Sequence, residues 1–303
     1  MSLAVTGTTG FVGQALLDAA ARARMPVRAL TRRPQERREG VEWIEGDLSN
    51  RSALAELTSG TRAVIHIAGL TNTPDPQRFE QANVAGTASL IEVARSAEVE
   101  RFVFVSSLSA REPKLSAYGA SKARAEEHVA ASGLDWTIVR PPAVYGPRDR
   151  DMFELFRAAR AGVVPMPPRG RASLIHVDDL AECLLALVPG GEGVSGAILE
   201  PDDGRPGGYA HRELAQAIGR ALGRERVFAP HLPAGVLALA ARADRLLRGD
   251  EAKLTPDRVG YMCHPDWAAR SDRRVPDAVW HPRIGGEEGL AATAAWYRAA
   301  GWL

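Results

Sequence analysis

The sequence predicts an α/β protein with a doubly wound parallel sheet and a smaller, mostly helical C-terminal region. Three observations carry this. Short apolar runs alternate with longer helical patterns through the first half, the rhythm of right-handed βαβ units. Those runs are nearly continuous, as in strands covered on both faces. A glycine-punctuated stretch, Gly7-Thr8-Thr9-Gly10-Phe11-Val12-Gly13, follows the first run and opens the first helix.

The elements follow in order. Leu3 to Val5 is a buried strand and Phe11 to Arg24 a helix. Val27 to Leu30 and Glu42 to Ile44 are the next strands, the latter ending at Gly46-Asp47. Ser52 to Ser59 is a short helix, Ala63 to Ile67 a fourth strand and Gln77 to Ala97 one long helix. Phe102 to Val105 is a fifth strand, Tyr118 to Ala131 a helix and Trp136 to Val139 a sixth strand. After Pro141-Pro142 the rhythm breaks. Ser173 to Ile175 is a strand, and Asp178 or Asp179 caps a helix running to Val188. Ala197 to Leu199 returns to the sheet, and beyond Gly208 the pattern is helical, ending with Gly289 to Ala300. The division is a sheet domain, 1–145 with 172–200, and a second region, 146–171 with 201–303. Ala-rich stretches such as Val236 to Ala243 read as good helix formers.

The 303 residues include 38 basic and 37 acidic side chains, a net charge of +1. That argues against nucleic acid or an anionic membrane as the dominant partner. The two cysteines, Cys183 and Cys263, make no CxxC motif, and no His/Cys cluster has metal-ligand spacing. No apolar run reaches the roughly 18 residues of a membrane span, and the N-terminus lacks a secretory pattern. The expectation is a cytoplasmic protein with a small-molecule substrate and no metal, nucleic-acid or membrane partner.

The glycine loop points to a dinucleotide. Gly7 permits the tight turn, Gly10 lets the backbone approach a pyrophosphate, and Gly13 allows close packing of helix on strand. The helix N-terminus supplies aligned N–H groups, with Thr9, Phe11 and Val12 flanking them. At the end of the second strand an NAD enzyme places Asp or Glu; here stand Thr31-Arg32-Arg33. Arginine forks match phosphate, so Arg32 and Arg33 favour NADP over NAD, unless they are simply solvated in an arginine-rich loop. Asp47 and Leu48 flank the adenine, or Asp47 caps the following helix. Ala68-Gly69 leaves room for a ribose.

Tyr118-Gly119-Ala120-Ser121-Lys122 sets a phenol and an ammonium four residues apart on one helix face. A neighbouring ammonium favours phenolate and lowers the tyrosine pKa, giving an acid/base. The motif opens the helix after the fifth strand, at the carboxyl edge where ligands of such sheets bind. Ser106-Ser107 ends that strand; one hydroxyl suits a substrate oxygen, the other satisfies the strand end.

These pieces together resemble an extended short-chain dehydrogenase/reductase, the NAD-dependent epimerase/dehydratase family, which implies a Rossmann-type fold. The matching segments are GTTGFVG, GDL at 46–48, HIAG at 66–69, NVAGT at 83–87, VSS at 105–107 and YGASK at 118–122. RPPAVYGPRD at 140–149, IHVDDLA at 175–181, HPDW at 264–267 and the closing WYRAAGWL extend the resemblance over the whole chain. It implies Tyr118 as acid/base, with Lys122 lowering its pKa and binding the nicotinamide ribose. It implies Ser107 as the substrate-orienting hydroxyl with Ser106 its strand neighbour beside the cofactor, and Asn83 as structural or part of a proton relay. Pro141, Pro142, Ala143 and Val144 would line the nicotinamide side; Arg148, Phe153 and His176 lie where the family contacts substrate. A homodimer through the helices at 77–97 and 118–132 is implied as well.

Two departures separate the chain from typical sugar-nucleotide epimerases: the stretch from Ser107 to Tyr118 is short, and Arg32-Arg33 replaces an acidic residue. The 3β-hydroxysteroid dehydrogenase-like and dihydroflavonol reductase-like branches are resembled about as well. The leading expectation is hydride transfer between NADP(H) and a carbonyl/alcohol pair. The alternatives are an NAD-dependent nucleotide-sugar epimerase or dehydratase, in which Arg148, Arg169 and Arg171 hold a diphosphate, and a non-catalytic dinucleotide sensor or assembly protein. Trp267, Trp296, Tyr297 and Trp302 read as packing.

Overall fold

The computed structural model describes residues 2–249 and 252–303. Its first half runs β1 (Leu3–Thr6), α1 (Phe11–Arg22), β2 (Val27–Thr31), β3 (Val41–Glu45), α2 (Arg51–Thr58) and β4 (Ala63–His66). Next come α3 (Pro76–Phe79), a π-helical turn (Glu80–Ala85), α4 (Gly86–Ser96), β5 (Arg101–Val105), α5 (Ala117–Ala130) and β6 (Asp135–Val139). The second half holds β7 (Ala143–Tyr145), α6 (Asp151–Arg160), β8 (Arg171–Ala172), β9 (Leu174–His176), α7 (Val177–Ala186) and β10 (Ala197–Leu199). It closes with β11 (Tyr209–Ala210), α8 (His211–Ala221), α9 (Ala234–Arg248), α10 (Pro256–Met262), β12 (Asp266–Trp267) and α11 (Gly286–Ala299).

Seven parallel strands form the main sheet in the order β10-β6-β5-β4-β1-β2-β3. The order reverses between β1 and β4, and the crevice beyond the carboxyl ends there is where such sheets bind ligands. Alternation along each strand fills both faces. Leu3 and Val5 point into one apolar layer with Leu16, Leu17, Leu180 and Leu184, while Ala4 points into the other with Leu54, Leu57, Leu90 and Val129. Burial on both sides explains the unbroken apolar runs. A third core, Tyr145, Phe156, Leu214, Ile218, Leu290 and Tyr297, holds the C-terminal helices together.

Two local expectations change. The long helix expected over 77–97 is broken by the π-helical turn at Glu80–Ala85, which inserts a residue into the ladder and re-aims the side chains around it. The helix after β9 is capped by neither aspartate: His176 is its N-cap and accepts from the Asp178 amide.

Candidate active site

The loop between β1 and α1 is as tight as chain geometry allows. Gly7 sits at φ +78°, and a Cβ there would stand 2.6 Å from the Ala68 nitrogen. A Cβ on Gly13 would lie 2.1 Å from the Gly7 carbonyl oxygen, so any other residue would push α1 off the loop. The N-cap of α1 is Gly10, with no side-chain cap and no acidic residue in the first turn. Its leading N–H groups therefore face the solvent side beside exposed Thr9 and Gly10, which fits an anion such as a pyrophosphate. Phe11 and Val12 are half-buried against the core on the α1 side.

Around the loop, the adenosine-side candidates divide. Arg32 and Arg33 are both exposed just after β2, and neither forms a salt bridge among the described residues. Asp47 Oδ1 accepts from both the amide and the hydroxyl of Ser49, at 2.8 and 2.6 Å. Those bonds, with help from Arg32, hold its carboxyl below the ordinary range. The cap of α2 is Asn50, not Asp47. Leu48 leans on α4, where a Cβ at Gly86 would meet it at 2.8 Å.

A buried chain of hydrogen bonds ties the switch point together. Ala68 N donates to Thr6 Oγ1, which lies 2.6 Å from His66 Nδ1; His66 Nε2 lies 2.9 Å from Thr87 Oγ1, which donates to the Asn83 carbonyl. Since Thr87 already donates onward, it accepts from the imidazole, and the chain is satisfied by a neutral ring protonated at Nε2. Burial agrees, pushing the His66 pKa down to about 3. Asn83, carried on the π-helical turn, accepts from Leu70 N and donates to Leu70 O and Ser121 Oγ. Its amide clamps the loop after β4 to α5, which is a structural use.

Lys122 is buried, its Nζ donating to Val105 O at 2.7 Å and lying 4.3 Å above the Phe104 ring centre. A Cβ at Gly69 would stand 3.6 Å from that Nζ and 3.2 Å from Asn83 Oδ1; glycine leaves the ammonium approachable. Burial lowers the Lys122 pKa to about 7, with the Glu126 carboxylate opposing the fall. Tyr118 lies between Phe79 and Tyr261, with ring centres 5.8 and 6.1 Å away. Its pKa does not fall as the sequence led us to expect. Burial pushes it up to about 12, against the pull of the Ser107 and Ser109 hydroxyls. The Lys122 Nζ is turned to Val105 and Phe104 instead.

The two serines turn to different partners. Ser106, also placed beside the cofactor by the sequence, turns its hydroxyl to Glu126 Oε1, which Arg140 Nε also approaches at 2.9 Å. Ser107 accepts from Ser109 N at 3.2 Å and Ser109 Oγ at 2.9 Å, which frees its own hydrogen for another oxygen. Pro141 is buried and its carbonyl accepts from Leu108 N; Ala143 is exposed and Val144 half-buried on β7.

The proposed substrate contacts are not brought into this group. Arg148 pairs with Asp18 of α1 at 2.9 Å, His176 is the α7 cap, and Phe153 stacks edge-on with Tyr297 and Trp302. Trp267 joins Arg111 and His264 instead of that aromatic cluster. Residues the sequence reading missed come from far along the chain. Asp257 on α10 accepts from the amides of Ala117 and Tyr118, at 2.5 and 3.3 Å. No local pattern at Thr255-Pro256-Asp257 announces a partner about 140 positions away.

The NAD dependent epimerase/dehydratase family model matches residues 3–198. The chain belongs to that family. It is 36% identical to a ceramide reductase of Caulobacter vibrioides, over 99% of this chain and 96% of that protein. It is 30% identical to a 2-alkyl-3-oxoalkanoate reductase of Stenotrophomonas maltophilia, over 96% and 97%. Among solved structures, MoeE5 in complex with UDP-glucose and NAD superposes with a TM-score of 0.76 at 26% identity, covering 99% of both chains. The chain is therefore an enzyme of the NAD-dependent oxidoreductase group, which sets aside the sensor and assembly readings.

The buried lysine makes folding pH-dependent. Between about 7 and 10.5 the unfolded chain holds a proton on Lys122 that the folded chain has lost, so stability rises with pH across that window, by up to about 1.4 kcal/mol per unit. Lys122→Met removes this dependence. Urea unfolding should show the variant ahead of the wild type by most at about pH 6, and by less at about pH 9. A gap independent of pH would show that Lys122 is not buried as a titrating group.

Proposed function

We propose that the chain reduces a ketone carried on a long-chain, lipid-like substrate, using NADPH. The observation that carries this is a grouping of hydroxyls after β5: Tyr118 stands beside Ser107 and Ser109, on the same helix as Lys122, a set that can hold a carbonyl oxygen and give it a proton, as reduction requires. The two reductases aligned with nearly the whole chain, at 36% and 30% identity, act by name on a ceramide and on an alkyl-oxoalkanoate, which supports the lipid-like class. The dinucleotide supplies the hydride. Ser107 donates its free hydrogen to the carbonyl oxygen and fixes its direction, while Ser109 holds Ser107 in that rotamer. Tyr118 passes its proton to the same oxygen as negative charge develops there. Lys122 binds the ribose side of the cofactor at the opening that Gly69 leaves, and Ala143 and Val144 line the nicotinamide side. A homodimer forms through the outer faces of α4 and α5.

The test is a panel of a ketone-bearing ceramide, a 2-alkyl-3-oxoalkanoate and UDP-glucose, followed by NADPH consumption and product mass. Net NADPH oxidation on either lipid ketone supports the proposal. Conversion of UDP-glucose without net cofactor turnover overturns it in favour of epimerase chemistry.

Cofactor choice has its own test. Arg32 and Arg33 are exposed just after β2 without salt bridges among the described residues, so a 2′-phosphate would meet two available forks, and charge-assisted bonds of about 1.5–3 kcal/mol are at stake. Arg32→Ala with Arg33→Ala should weaken NADPH binding roughly 10- to 100-fold and leave NADH binding unchanged. Calorimetric titration reads both; equal loss for the two cofactors would refute the assignment.

A further inference from the structure

Helix α9 is apolar on two sides, and among the described residues only one of them has a partner. Leu237 and Ala241 pack on Val259, with Leu232, Leu254 and Cys263 around them. On the outer side Val236, Leu239, Ala243, Leu246 and Leu247 recur at spacings of three and four, falling in an arc of about 100° at 100° per residue. Leu239 is 68% exposed, Leu246 88% and Leu247 85%. These are among the most exposed large apolar side chains described, and they share one helix. Arg242 borders the stripe and Arg245 stands beyond it, both exposed and without a salt bridge among the described residues. Phe228 and Val163, paired on the bridge leading toward α9, are exposed as well.

We propose that α9 docks on the surface of an anionic lipid bilayer, lying in the interface with its leucines down and Arg242 at the phosphates. An amphipathic helix with leucines on one side and an unpaired cation at their border binds such a surface by both effects. Charge selects this occupant over a second copy of the chain. Arg242 stands at mid-length on one border of the stripe, so an antiparallel two-fold pairing of α9 with α9 would set it against its own copy. Bilayer phosphates complement it. Among the described residues no helix is long and apolar enough to cross a membrane, so the contact is peripheral. The near-neutral charge of the whole chain says nothing against it, because the basic groups are local to the apolar stripe.

The placement has a use. Helix α9 packs on α10, whose Asp257 binds the first amides of α5 and whose Tyr261 ring lies 6.1 Å from that of Tyr118. The Ala252 carbonyl accepts from Asn72 Nδ2, and the Thr255 hydroxyl donates to Asn72 Oδ1, in the loop after β4. A bilayer held at α9 is thus one helix away from the catalytic phenol, which is where a ketone on a membrane lipid has to arrive. The docking inference goes beyond the reductase reading and stands independently of it, since vesicle binding needs no turnover.

The test is co-sedimentation of the full chain with vesicles of phosphatidylcholine alone and of phosphatidylcholine with phosphatidylglycerol in a three-to-one mixture. The wild type should bind the anionic vesicles, more weakly in high salt, and bind the neutral ones less. Leu246→Glu with Leu247→Glu should bind at least about tenfold more weakly, with an unchanged melting profile and unchanged reduction of a short soluble ketone. Arg242→Glu with Arg245→Glu should weaken anionic binding while sparing the residual neutral binding. Failure of the wild type to bind anionic vesicles overturns the proposal, as does undiminished binding by the leucine variant. A dimer in solution that the leucine variant splits into monomers also overturns it, since a second copy would then occupy the stripe.

Discussion

Tyr118→Phe is expected to lower kcat/KM for ketone reduction by about 100- to 10,000-fold, the usual contribution of a positioned acid/base group, with NADPH affinity unchanged. The expectation rests on how the phenol is held. Its ring is packed between Phe79 and Tyr261, so phenylalanine keeps the packing and removes only the hydroxyl. In the proposed site Ser107 can still orient the carbonyl oxygen without delivering a proton to it easily. Ser107→Ala should cost less than Tyr118→Phe, because the proton donor survives. The pH profile carries a second signature. With its pKa pushed up to about 12, Tyr118 stays protonated through the alkaline range, so reduction should show no loss attributable to it below about pH 10. Single-turnover rates with saturating NADPH measure the effect. Rates for Tyr118→Phe within tenfold of the wild type would remove the tyrosine from the chemistry.

The parts of this site legible in the sequence are those set by local backbone. Gly7 and Gly13 are required by contacts within a few residues or by one strand crossing, and a glycine pattern after an apolar run announces them. Tyr118 and Lys122 share a helix, and strand-end serines follow from the strand boundary. Misjudged positions depend on contacts that no spacing encodes. Four residues between phenol and ammonium place them on one face, but the direction of Lys122 was decided by the Val105 carbonyl and the Phe104 ring, both on a neighbouring strand. Asp47 and Asn50 are equally good caps by type; only the backbone path after β3 made Asn50 the cap and Asp47 the partner of Ser49. His176 looked like a substrate contact because it is a polar residue in a matching segment, yet it is buried and caps a helix. Alanine-rich α9 showed its helical propensity in sequence, but which of its two apolar sides is covered could be known only from the fold.

Glu200→Ala is expected to destabilise the fold by about 3–5 kcal/mol, the cost of leaving buried charges unpaired. Glu200 is 1% exposed, immediately beyond β10. Its Oε2 accepts from Arg111 Nη1 at 3.2 Å and from the Arg270 amide at 2.9 Å, and its Oε1 lies 4.0 Å from Arg140 Nη1. Arg140 continues to Glu126, which accepts from the Ser106 hydroxyl. Arg111 also donates to the carbonyls of Asp266 and Ala268, tying the short segment between Ser107 and Tyr118 to β12. Removing the carboxylate strips Arg111 of its only anionic partner among the described residues and leaves Arg140 on Glu126 alone. Glu200→Gln keeps an acceptor of the same shape and should cost less. Pairing Glu200→Leu with Arg111→Met, which removes both charges, should recover much of the loss, because an apolar replacement of a buried pair is often close to neutral. Urea unfolding of the three variants makes the comparison. Equal losses for Ala and Gln would mean that the charge is not what holds this segment. The kinetic consequence separates position from stability: since Arg111 anchors the turn that carries Ser107 and Ser109, Glu200→Gln should raise KM for the ketone more than it lowers NADPH affinity, even under conditions where the variant is fully folded.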